Sequence, residues 1–227
     1  MASNILYQNN GGIKVDNTGN NIAVDYPIDI SEGDCLILCC WLEDNTYNWN
    51  TPSGWTKETS GDGGDGNWTW IVLTKLADGT ETGTQEVTVS GSSSLYKFGI
   101  MYKFNVDVGY TWDQTYKNVD GVCHVHTNTC NINQGQNTSG YDGLAVAISM
   151  QITNNTMSLT GSSGYSSSSN LSSATGVGCR VVLMTQSVDV GNFDGDADFN
   201  PASLIENMGV GLQIWAQRVP RNRFHIT

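Results

Sequence analysis

Residues 33–55, GDCLILCCWLEDNTYNWNTPSGW, limit the fold more than any other stretch of the 227-residue chain. Eight apolar residues run without a break from Cys35 to Leu42. That is the length of a strand buried on both faces, and a turn, Ser31-Glu32-Gly33-Asp34, leads into it. A polar, Asn-rich connection ends in Pro52-Ser53-Gly54-Trp55. Pro52 presets φ, Gly54 is free to take positive φ, and Trp55 brings a large apolar surface down onto the sheet. Trp55 is expected to be a core anchor, with stacking on a sugar ring as the competing use.

Period-two patterns continue on both sides. Ile5-Leu6-Tyr7, Ile13-Lys14-Val15 and Ile22-Ala23-Val24 predict short strands, with a turn at the NNGG of 9–12. Residues 1–26 therefore form edge strands or an N-terminal extension. Residues 68–77 and 85–90 predict further strands. In 95–104, Tyr96, Phe98, Ile100, Tyr102 and Phe104 share the face expected to meet the core. The second half echoes the first: 142–150 parallels 34–42, 179–187 parallels 68–77, and 208–217 parallels 95–104. No window carries a long helical pattern. The chain is expected to be all-β, an antiparallel β-sandwich of jelly-roll-like wiring with a weak internal duplication and about ten to twelve strands. One sandwich domain spans 27–217, its half-repeats about 27–105 and 140–217, and 218–227 is a basic tail. The serine-rich 162–176 is expected to be an exposed loop.

Charge narrows the partners. A formal net charge of −12 argues against nucleic acid and anionic membrane surfaces, which both require clustered Lys and Arg. The opening MASNILYQNN has neither a basic nor an apolar signal region, and no stretch is long enough to span a bilayer. Six cysteines, three of them at 35, 39 and 40 inside one apolar strand, read as small buried hydrophobes of a chain folded in a reducing cytoplasm.

The series GDCLILCCW, TPSGWT, WTWIVLTKLADGTETGTQEVTVSGSSS and FGIMYKF resembles a β-sandwich module of tailed-bacteriophage virion and prophage surface proteins. The resemblance covers about 27–105 well and the remainder loosely. It implies a structural or attachment role in the virion, and that family offers no shared catalytic residues. The expected function is therefore a non-enzymatic virion protein, foremost an external capsid decoration (cement) protein. Its expected partners are other capsid or tail proteins and further copies of itself, without nucleic acid or membrane insertion. The alternatives are a receptor-binding tail-fibre tip or carbohydrate-binding module gripping host glycan, and a polysaccharide-degrading enzyme.

Few constellations carry chemistry. Cys123-His124-Val125-His126 with Cys130 has metal-ligand residue types but lacks paired C-x₂₋₄-C spacing. The resemblance adds a second arrangement for His124 and His126, an H-x-H pair repeated around a threefold axis. Asp194, Asp196 and Asp198 imitate the start of a calcium loop, yet the sixth position is Phe199 and the twelfth Ile205. Calcium is the only cofactor these residues suggest. No G-x-S-x-G, P-loop or dinucleotide fingerprint stands in its required setting. Among aromatics placed in or near loops, Tyr47, Trp49, Trp112 and Tyr116 are the candidate ligand contacts, with Trp41 and Tyr110 nearby. Arg218, Arg221 and Arg223 in the tail are candidates for pairing with carboxylates of a neighbouring subunit or shell, Phe224 and Ile226 filling an apolar groove.

Overall fold

The computed structural model describes residues 4–44, 46–62, 68–91, 95–125, 130–134, 143–151, 157–159, 165–173, 178–188, 195–201 and 207–218. They form sixteen strands and no helix. The first half holds β1 (Ile5–Asn10), β2 (Lys14–Asp16), β3 (Asn21–Asp25), β4 (Cys35–Leu42), β5 (Thr56–Asp62), β6 (Thr69–Leu76), β7 (Thr84–Thr88) and β8 (Lys97–Val106). The second holds β9 (Tyr110–Val125), β10 (Cys130–Gln134), β11 (Gly143–Gln151), β12 (Met157–Leu159), β13 (Ser166–Ser173), β14 (Cys179–Val188), β15 (Gly195–Pro201) and β16 (Asn207–Arg218).

The strands assemble into four antiparallel sheets. A large sheet runs β1-β8-β4-β6-β5, with β2 also on β8, and a small one pairs β3 with β7. A second large sheet runs β13-β14-β11-β16-β9, and a second small one runs β10-β15-β12. The two halves repeat one wiring. Central β4 lies between β8 and β6 as β11 lies between β16 and β14. The pair β1 and β2 flanks β8 as the single long β9 flanks β16. Even the isolated bridge from Trp49 to Val89 beside β7 has its counterpart in β12 beside β15.

The large sheets share one core. Cys35, Ile37, Cys39 and Trp41 of β4 and Phe98, Ile100, Tyr102 and Phe104 of β8 belong to the same cluster as Leu144, Val146, Ile148 and Met150 of β11 and Val210, Leu212 and Ile214 of β16. Alternate residues turn outward. Leu36, Leu38, Cys40 and Leu42 pack with Ile22, Val24, Val87 and Val89 under the small sheet. The architecture is thus two sandwiches set back to back. This explains why Cys35–Leu42 is apolar at every position: both of its faces are buried, and all eight residues are at most 3% exposed.

The outer face of the second half is built differently. Ala145, Ala147, Ser149 and Gln151 of β11 and Gln213 of β16 are fully buried there. The approach of β10 and β15 to β11 and β16 places the second small sheet over this face. The register of the duplication also differs from the expected one. Matching Asp34 with Asp142 would set Leu36 on Leu144, yet Leu36 faces the outer core and Leu144 the shared one. The repeats align one residue over, Cys35 with Leu144, since a slip of one residue moves a whole strand to its other face.

Residues 166–173 lie in an edge strand rather than a loop. Seven of them pair with β14 between Thr185 and Cys179, with a bulge at Ser168.

Candidate functional site

The aromatic side chains show how this chain spends its binding potential. All seven tryptophans, at 41, 49, 55, 68, 70, 112 and 215, are between 3% and 7% exposed. Trp49 is therefore not a loop contact. Its Nε1 donates to the Thr69 carbonyl at 3.3 Å, and its ring belongs to the outer core of the first half. Trp112 lies in the shared core, as does Trp41, and Tyr110 is half-buried against it. These positions look polar in sequence because their neighbours do, but strand pairing turns the rings inward. Tyr47 is half-buried and lies over Gly91, where a Cβ would stand 2.1 Å from the ring, so any larger residue there would displace the tyrosine. Tyr116 is on β9, and its side chain lies outside the described residues.

Trp55 is the core anchor expected of it. Its amide donates to the Pro52 carbonyl at 3.2 Å, and Gly54 takes φ +80 at the third position of that turn, the left-handed value a type II turn requires. The indole Nε1 donates to Gln85 Oε1 at 2.9 Å.

Of the five metal candidates, three lie on strands. His124 is on β9 opposite Met208; His126 and Asp194 lie outside the described residues. Asp196 and Asp198 do not form a loop. They sit on β15, opposite Asn133 and Asn131 of β10. Both stand in the ladder with β10, and a backbone extended in a ladder does not curl around a cation as a calcium loop does. Among the described residues, no group of three His, Cys, Asp or Glu side chains converges as metal ligands. Arg218 ends β16 opposite Tyr110; Arg221 and Arg223 lie outside the described residues.

The charges that the structure does bring together hold loops. Lys103 and Lys97 lie on the face of β8 away from the shared core, and the small sheet and its loops cover that face too. Lys103 Nζ donates to the Asp29 carbonyl at 2.7 Å and lies 3.9 Å from Asp34 Oδ2. Lys97 Nζ donates to the carbonyls of Gly19 and Leu95, both at 3.1 Å. Burial pushes the Lys97 ammonium below its ordinary pKa, against the pull of Asp16. No periodicity distinguishes such a lysine from a solvated one; its signal is its place beside Phe98 or Phe104 in a strand covered on both sides. Lys75 Nζ meets Glu81 Oε1 at 2.8 Å. For Glu81, burial would raise the carboxyl, but the hydrogen bonds from Lys75 and nearby backbone amides together lower it. The Cys39 and Cys40 thiols are pushed well above their usual range by burial, and that of Cys179 to about 12.

Comparison of the chain with protein-family models, with curated proteins and with solved structures found no match.

Proposed function

We propose that this protein is a non-enzymatic structural component of a tailed-phage virion, displayed outside the capsid as a decoration protein. The observation that supports the reading best is the burial of every tryptophan. The side chains best suited to gripping a sugar ring or lining a substrate cleft are packed inside, Trp41, Trp68, Trp70 and Trp112 in the shared core and Trp49 and Trp55 in the outer core of the first half. That favours a rigid, surface-displayed block over a fibre tip that reads glycans or an enzyme that cleaves them. The net charge of −12 suits a protein presented in many copies that must not aggregate. Its partners in this reading are other virion proteins and further copies of itself.

The test adds gold-labelled full-length protein to intact particles and locates the label by electron microscopy, with a glycan array run in parallel. Label over the capsid shell and a blank array are expected. Label at the tail tip, or saturable binding to one sugar class, would overturn the decoration role.

A further inference from the structure

A bulge re-aims one residue of β1. Tyr7 pairs with Phe104 of β8 and packs against the shared core, the two ring centres 5.8 Å apart. In an unbroken strand Asn9 would face the same way. The register shifts between Tyr7 and Asn9, so Asn9 stands opposite Lys103 on the outer face of β8. Side chains directly opposite one another start about 5 Å apart at Cβ.

Three polar groups converge there. Lys103 and Asp34 are both buried. Lys103 Nζ, donating to the Asp29 carbonyl at 2.7 Å, lies 3.9 Å from Asp34 Oδ2. Asn9 Nδ2 donates to the preceding carbonyl, that of Ile28, at 3.3 Å. The ammonium and the carboxamide are thus held on consecutive carbonyls of one loop. Asp34 is fixed in turn, its Oδ2 accepting from the Ser31 amide at 2.9 Å. The Asn9 Oδ1 atom is buried and accepts no hydrogen bond. A lysine that only pinned the loop would not need a carboxamide turned onto its face by a bulge, nor leave that amide's oxygen orphaned.

An amine, a carboxamide and a carboxylate held together out of bulk water are a nucleophile, an acyl donor and a proton carrier. We propose that Lys103 and Asn9 form an intramolecular isopeptide bond that fastens β1 to β8. Asp34 takes a proton from the Lys103 ammonium, and the neutral Nζ attacks Asn9 Cγ. The Nζ–Cγ bond forms and the Cγ–Nδ2 bond breaks. Nδ2 leaves as ammonium, carrying the two protons that Nζ gives up, both passed on by Asp34. No oxidant or further reactant enters. The bond would hold an edge strand whose ladder is with β8 alone.

Denaturing mass spectrometry of the folded full-length protein, with tryptic mapping, tests this. The chain should be about 17 Da lighter than its sequence, the mass of one ammonia. The map should contain a branched peptide joining Asn9 to Lys103. Lys103→Arg should restore the full mass. Asp34→Asn should form the bond at least about tenfold more slowly at neutral pH, with its β circular-dichroism spectrum unchanged, and faster as hydroxide replaces the carboxylate. Should either variant fail to fold, the map of the parent protein still decides. A parent chain of full mass would overturn the proposal. So would a deficit located at Asn10-Gly11, which is a cyclised asparagine, or a branch at Asn105, two residues along β8. An Asp34→Asn protein that forms the bond at the parent's rate would remove Asp34 from the step.

Discussion

Gln85 Oε1 accepts two hydrogen bonds, from the Trp55 indole and from the Tyr26 hydroxyl, each at 2.9 Å. One amide oxygen on β7 thus ties the turn that follows β4 to the segment that follows β3, above the outer core of the first half. Trp55→Ala removes the ring from that core and one of the two donors. It should cost on the order of 3–5 kcal/mol. Gln85→Ala keeps the ring but strands both donors, and should cost about 1–3 kcal/mol. Urea unfolding of each variant measures both. A Trp55→Ala protein that unfolds like the parent but loses a ligand would make Trp55 a binding residue.

The Lys75–Glu81 pair sets a pH dependence. The folded Glu81 carboxyl is held below its ordinary value, so its stabilisation is present above the unfolded pKa of about 4.3. It is lost as pH falls through the lower folded value. Asp16 and Asp78, lowered through hydrogen bonds from Thr18 and Thr80, act in the same direction. Thermal midpoints should therefore fall on acidification from pH 5 to pH 3, and Glu81→Gln should flatten that slope. An unchanged slope in the variant would remove the pair from the account.

Burial makes the thiols of Cys35, Cys39, Cys40 and Cys179 poor nucleophiles. A thiol reagent should label these four slowly in native protein and rapidly after unfolding, with peptide mapping to identify them. Rapid native labelling of Cys39 or Cys40 would mean that β4 is not covered on both faces.

The sandwich was legible where pattern and packing agree. Cys35–Leu42 has a length and composition that only a doubly buried strand satisfies, and in β8 the Phe98 to Phe104 series marks the shared core. What lay opposite that series was hidden, because Lys97 and Lys103 read as solvent-facing until a second layer covers them. The duplication was visible by segment, but its register was not: Asp34 and Asp142 draw the eye into alignment while the buried faces require a shift by one. β9 escaped notice because residues such as Asp113, Lys117 and Asp120 break any alternation, and β13 because a run of serines carries no strand signal of its own. Both are fixed by their neighbours, β16 and β14. The candidate site fared worst. Trp49 and Trp112 are surrounded in sequence by polar residues, and only long-range pairing decides which way their rings point.

The two halves share one core, so they should not melt separately. Ile148→Ala, a truncation at the centre of β11, should cost about 2–5 kcal/mol and shift a single cooperative transition. Calorimetry that instead resolves two transitions, with only the second half moved by the variant, would break the back-to-back arrangement into independent domains.

The central claim is that the tryptophan side chains are packed inside this protein and are not displayed on its surface. Acrylamide quenching of tryptophan fluorescence tests it most directly, since a neutral quencher is indifferent to the −12 charge. With all seven indoles at most 7% exposed, native emission should be blue-shifted and its quenching slope several-fold below that of the unfolded chain, with no readily quenched fraction. A native fraction quenched as steeply as in the unfolded protein would put at least one tryptophan on the surface and contradict the account.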